Sequence, residues 1–279
     1  MAKRSTTKLN QLERGLPEGL LVDAAWLTRQ GYSTALRSQY VASGWLEQPA
    51  RGVYSRPRGF LRWQQAVISL QTLLGVTLAV GGRSALELQG FAHYLAHDIE
   101  AVHLHGPQPP PTWLAKLPLP VRFVYRNDHR LFVDPPADLG VSLSPVGGSE
   151  GRTPSDPKHF VVHLWGQWDW PLVLSTPERA ILELLDELPD RESFEQADKL
   201  MGGLANLSPR RLQALLTQCR SVKVKRLFFF FADRHAHAWL KHLDKDAIDL
   251  GTGKRLLVKG GKLDRTYQIT VPEGLDAVP

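Results

Sequence analysis

The chain has 279 residues, 43% of them hydrophobic and 22% charged, with a net charge of +6. This is the composition of a folded protein, not a disordered one, and the length allows one large or two ordinary domains. The single cysteine, Cys219, excludes an internal disulfide and argues against a cysteine zinc cage; no apolar run reaches the ~20 residues of a membrane helix and no signal-peptide pattern opens the chain, so a cytoplasmic protein without a membrane partner is expected.

The charge is unevenly spread. Residues 1–58 carry nine Lys or Arg against four acids, whereas residues 59–279 are close to neutral. A basic module joined to a neutral body suits contact with a polyanion; an ordinary solvated surface is the other reading.

Met1–Thr7 is polar and basic and reads as a loose arm, in which Lys3 and Arg4 are candidates for phosphate or minor-groove contacts. Leu9, Leu12 and Leu16 predict a short amphipathic helix, which Pro17 and Gly19 break. Asp23 is a good N-cap for a second helix, which Gly31 ends; Ser33 then caps a third over residues 34–43, stopped by Gly44. Two helices joined by a short turn containing glycine make a helix-turn-helix. On the third helix Leu36 and Tyr40 lie within roughly 40° of each other and face the core, while Thr34, Arg37 and Ser38 project from the far side with Gln39 at the margin. Trp45 and Leu46 begin an extended segment, Pro49-Ala50-Arg51-Gly52 is a turn and Val53-Tyr54-Ser55 returns as a second strand, so a wing follows with Arg51 near its tip and Arg56 at its base. This is a winged helix-turn-helix pattern. Its candidate DNA-binding residues are Ser33, Thr34, Arg37, Ser38 and Gln39 for the major groove, with Arg51, Arg56, Lys3 and Arg4 for phosphates or the minor groove.

Pro57 and Gly59 form a short linker, which divides the chain into a DNA-binding domain of residues 1–58 and a larger mixed α/β domain of residues 59–279; the fold class is α+β. In the larger part, helices are predicted over 63–74 and 84–89, strands over 76–80, 100–105, 121–125 and 160–164, and an irregular excursion over 134–158. From Ser175 the chain turns helical, with a Ser-Thr-Pro-Glu start at 175–178 and further helices over 193–204, 208–219 and 222–235. Phe228–Phe231 reads as a buried helix core. Residues 176–199 are acidic and 208–226 basic, which points either to pairing between neighbouring helices or to a second basic surface. Gly251-Thr252-Gly253-Lys254-Arg255 lacks the P-loop spacing, Gly147-Gly148-Ser149 is followed by no pair of acids, and His103, His105, His235, His237 and His242 lack an acid or cysteine to complete a metal site. No catalytic, cofactor-binding or metal-binding residue is therefore predicted.

The string Gly31-Tyr32-Ser33 through Tyr40-Val41-Ala42-Ser43-Gly44-Trp45-Leu46-Glu47 and Arg51-Gly52-Val53-Tyr54 resembles the N-terminal winged helix of the AbiEi antitoxin family. The resemblance continues at 175–180, 222–228, 249–255, 259–264 and 267–272, in the same order and over nearly the whole chain. It implies a non-enzymatic type IV antitoxin of a phage-defence operon. Such a protein represses its own operon by binding inverted repeats in double-stranded operator DNA. It also implies a cognate nucleotidyltransferase-like toxin, countered through the C-terminal part without a stable complex being required. Two other readings remain open from the residues alone. One is a winged-helix transcription factor with a ligand-sensing or dimerising body; the other is a nucleic-acid-processing enzyme targeted by a winged helix.

Overall fold

No glycine or proline interrupts residues 2–14, and the first helix, α1 (Ala2–Gly15), uses the whole of that stretch. The expected loose arm is therefore the start of a helix. The computed structural model describes residues 2–91, 99–143 and 153–275, with side chains from Lys8 onward; Lys3 and Arg4 thus have helical backbone, and their side chains lie outside the described residues, as do Gly147, Gly148 and Ser149.

The chain continues through β1 (Leu21–Asp23), α2 (Ala24–Arg29), α3 (Thr34–Ala42), β2 (Glu47–Ala50) and β3 (Val53–Ser55). The strands form an antiparallel sheet in the order β1-β3-β2, which completes a winged helix-turn-helix. Its local signals are chemical. Asp23 Oδ1 accepts the Trp26 N–H at 2.7 Å and Ser33 Oγ accepts that of Leu36 at 3.2 Å, so each capping residue starts the helix it was expected to start. The wing turn is tighter than expected: Pro49 and Ala50 belong to β2, and only Arg51 and Gly52 make the turn, with Gly52 at φ 76°. Leu12, Leu16, Leu27, Tyr40, Leu46 and Val53 close the core beneath.

α4 (Trp63–Thr72) joins this unit to the body. Its Ser69 Oγ accepts the Leu21 N–H at 2.8 Å, so α4 holds the first strand of the reader. Its Gln71 amide bonds the Leu78 and Val173 carbonyls and accepts the Val173 N–H, completing a gap in the body sheet. That sheet has the order β6-β5-β4-β8-β7, from β4 (Ala79–Val80), β5 (Ala101–Gly106), β6 (Arg122–Asn127), β7 (Phe160–Trp165) and β8 (Trp170–Ser175). β8 is buried along its length. No strand is expected there from the sequence, and a proline such as Pro171 is unusual in a central strand. Pro171 is tolerated since β4 reaches β8 only at Leu174, which leaves Pro171 paired with Leu164 of β7 alone. α5 (Gly82–Leu88) follows β4, and α6 (Pro177–Asp186), α7 (Phe194–Gly203), α8 (Pro209–Gln218) and α9 (Val222–His235) form the helical part, closed by the hairpin of β9 (Lys262–Asp264) and β10 (Ile269–Val271). Phe228, Phe229, Phe230 and Phe231 are all buried in it.

The charge split along this region resolves largely within the fold. Lys223 Nζ donates to the carbonyls of Asp186 and Leu188, Lys225 to that of Asp249, and Arg226 to those of Leu250 and Gly253. Arg211 faces Glu178 and Lys223 faces Asp186, each at 3.7 Å. Three of the six basic residues thus tie α9 to carbonyls around it and a fourth, Arg211, faces an acid, while Arg210 and Arg220 are exposed.

At the centre of the body lies Arg179, fully buried. Its guanidinium donates to Glu183 Oε1 at 2.7 Å and Asp128 Oδ2 at 3.0 Å, and to His159 Nδ1 at 2.8 Å. Glu183 also accepts the Ser175 hydroxyl and the Gly82 N–H that opens α5. A Cβ on Gly81 would collide with this carboxylate and with the His105 ring, so the close approach requires glycine there. Burial holds the His103 and His159 imidazoles down to about 4, and burial likewise pushes His105 below its ordinary value. The unfolded chain therefore binds more protons than the native one between pH ~6.5 and ~4, and stability is expected to fall as pH drops through that window. Melting temperatures measured from pH 7 to pH 4 check this, and a flat profile would contradict it.

Candidate nucleic-acid interface

α3 presents two chemically different faces. Ser33, Arg37 and Tyr40 recur at spacings of four and three, and Arg37 and Tyr40 turn inward. The expectation that Arg37 projects outward is corrected: it is 7% exposed. Its guanidinium donates to the Ala24 carbonyl (2.7 Å), Thr28 Oγ1 (2.9 Å) and Thr34 Oγ1 (2.8 Å), and lies 5.9 Å from the centre of the Tyr54 ring. One side chain thereby links α2, α3 and the wing. The physical reason is its place on the wheel, about 60° from Tyr40, where the long stem covers apolar surface and the head meets helix oxygens.

The outward face consists of Thr34, Ala35, Ser38, Gln39 and Ala42, all exposed. Ser33 Oγ is used as the helix cap and Thr34 Oγ1 receives Arg37. Ser38 and Gln39 make no side-chain hydrogen bond among the described residues. Their donors and acceptors are free toward solvent, beside two alanines small enough to let the helix approach a surface closely.

The wing divides similarly. Arg51 is exposed at the tip and pairs with no carboxylate among the described residues. Arg56, expected to reach outward from the base, is turned to α1: its guanidinium bonds the carbonyls of Glu13 and Leu16, both at 3.3 Å, and Glu18 at 3.2 Å. Two carbonyls at the end of α1 and a carboxylate beside them make a cation site, which no short-range pattern displays. The sequence reading left out Arg29, exposed at the end of α2 without an acidic partner among the described residues; its signal was a basic residue in the last turn before the helix-turn-helix glycine. Lys8 is spent differently, with Nζ on the Gln30 carbonyl at 3.1 Å and over the Tyr32 ring at 5.1 Å, so α1 braces the turn.

In the body, His103 shares a 3.1 Å hydrogen bond with Ser84, His105 lies 3.7 Å from Glu183, His235 bonds Asp198 and His237 the Met201 carbonyl. Among the described residues no group of three His, Cys, Asp or Glu is placed to hold a metal ion. No helix among them is long and apolar enough to cross a membrane.

The family described as transcriptional regulator, AbiEi antitoxin N-terminal domain, matches residues 5–97, and that described as transcriptional regulator, AbiEi antitoxin, type IV TA system, matches residues 165–272. No curated protein sequence matches the chain. Among solved structures, the Rv2827c protein from Mycobacterium tuberculosis is similar, with 17% identity and a TM-score of 0.56 over 94% of this chain and 88% of that one; at that identity the likeness shows the fold alone. The two family matches together span the winged helix, α4 and α5 at one end and β8 through β10 at the other, and the chain belongs to the AbiEi family of type IV toxin–antitoxin transcriptional regulators.

Proposed function

We propose that the protein represses its own promoter in the cytoplasm by binding inverted repeats of double-stranded operator DNA. In this reading residues 1–58 are the DNA reader and residues 59–279 the antitoxin body, which counters a nucleotidyltransferase-like toxin without catalysis and without a stable complex. The observation that carries the DNA half is the outward face of α3, where Ser38 and Gln39 stand unpartnered among the described residues, together with an exposed Arg51 at the tip of the wing. Gln39 has the paired donor and acceptor that match an adenine edge, Ser38 suits either purine or pyrimidine, and Thr34 and Ser33 sit where a helix N-terminus meets phosphate. Arg51, Arg29 and the basic start of α1, with Lys3 and Arg4, supply sequence-independent contacts. Arg37 and Arg56 hold the reader in shape.

Gln39→Ala is expected to cost about 1–3 kcal/mol on the operator and little on random duplex. Arg51→Ala is expected to weaken both equally and to lower the salt slope by about one. Anisotropy titrations at several salt concentrations measure both; equal loss on both duplexes for Gln39→Ala would remove it from the bases. The toxin half is tested by co-expression with the neighbouring gene. Growth rescue by the full chain and not by residues 1–58 is expected, and rescue by the short fragment would take that role from the body.

A further inference from the structure

A cleft distinct from the outward face of α3 lies where the linker after the wing meets the β7–β8 hairpin. Phe60, Trp165, Trp168 and Trp170 line it together with Arg58 and Arg62, and it encloses about 460 Å³. Phe60 is 97% exposed and Trp168 55% exposed, although burial of such rings is among the strongest drives a folded chain has. Trp165 and Trp170 stack with ring centroids 6.2 Å apart and planes 25° apart. The Arg58 guanidinium lies 5.2 Å from the centre of the Trp168 ring and 3.6 Å from Glu18, which fixes it over the indole. Arg62 is exposed and forms no ion pair among the described residues. The remaining lining is Gln65, Gly166 and Gln167, with no aliphatic side chain and no carboxylate.

The geometry points to this cleft as a binding site for single-stranded nucleic acid. Aromatic rings accept unpaired bases of any identity by stacking, and guanidinium groups between them meet the phosphates of the same strand. The lining supplies both and little else; Arg62, without an ion pair among the described residues, is complementary to a polyanion, and Arg58 is held beside it by Glu18. A duplex cannot use the rings, because its base faces are already stacked on one another. A protein partner would leave the Arg62 guanidinium to be matched, with no aliphatic surface to pack against. The site is separate from the duplex reader of the preceding section and does not rest on that reading.

The test uses the full-length protein, with labelled oligothymidylate and oligouridylate as single-stranded probes and an operator duplex as the third. Wild-type protein is expected to bind at least one single strand. Phe60→Ala and Trp168→Ala are each expected to weaken that binding about tenfold and to leave duplex binding unchanged. Arg62→Ala is expected to weaken it and to lower its salt dependence. Both aromatic side chains are exposed, so unchanged melting curves show the fold intact. Preference for oligothymidylate or oligouridylate identifies DNA or RNA as the source of the strand, and either supports the site. Failure of the wild type to bind single strands, or wild-type affinity in both aromatic variants, overturns it. Equal weakening on duplex overturns it as well, because the cleft would then belong to the duplex interface. Loss of duplex binding by Gln39→Ala with single-strand binding retained separates this proposal from the operator reading.

Discussion

Arg179→Ala is expected to unfold the body or to bring it to the edge of unfolding, at a cost of about 3–5 kcal/mol. That loss is comparable with the ~5–15 kcal/mol that holds a whole domain together. Arg179 is fully buried, ringed by Glu183, Asp128 and His159 and stacked within 5.0 Å of the Phe132 and Phe160 ring centres. Removing the guanidinium leaves two carboxylates without their cation in a site that water does not reach. Asp128 Oδ1 already lacks a partner, so it has no second donor to turn to. The damage spreads because Glu183 also caps α5 through the Gly82 N–H and holds Ser175 at the end of β8. Urea unfolding followed by circular dichroism measures the effect. A second variant separates lost pairing from lost volume: Arg179→Met with Glu183→Gln and Asp128→Asn removes all three charges together. It is expected to be less destabilised than Arg179→Ala, because the cost lies in the stranded anions and not in the missing contact. A single variant within about 1 kcal/mol of wild type would refute the role given to this cluster.

What was legible in the sequence was what neighbouring residues decide among themselves. Asp23 and Ser33 cap helices through bonds to the third residue on, Gly31 and Gly44 end them, and Gly52 makes the wing turn; each acts within four residues. Helices α6 to α9 were readable for the same reason. β8 was not, because its assignment depends on what Pro171 faces, and that depends on the short β4 far upstream, where Val80 pairs with Leu174. The short β1 was hidden likewise: Leu21–Asp23 is a strand only because β3 pairs with it. Charge was the least legible property. A run of basic residues looks the same whether it faces solvent or carbonyl oxygens, and Lys223, Lys225 and Arg226 proved to face carbonyls supplied by the end of α6 and by distant loops.

The same distinction decides what Arg37 does, and Arg37→Ala is the sharpest way to test it. As an outward-facing residue Arg37 would meet a guanine edge; its loss would then lower operator affinity alone and leave the protein as stable as before. Its observed partners predict another result. The guanidinium holds Ala24 and Thr28 of α2 and Thr34 of α3 while lying over Tyr54 of the wing, so the angle between the two helices and the seat of the wing depend on one group. Hydrogen bonds from a charged donor contribute about 1.5–3 kcal/mol each when broken one-sidedly, partly offset here because Arg37 Nε has no partner in the native state. A net loss of about 2–3 kcal/mol in the reader is expected. Melting should begin earlier, and affinity for operator and random duplex should fall together by tenfold or more, because α3 and Arg51 lose their common geometry. Arg37→Lys should recover only part of this, since an ammonium cannot span the carbonyl and both hydroxyls as a planar fork does. Thermal melts and duplex titrations on the same samples decide the matter. Unchanged melting with a selective loss on the operator would return Arg37 to the base edges, whereas parallel losses in stability and in both affinities would place it as the clamp that positions Ser38 and Gln39.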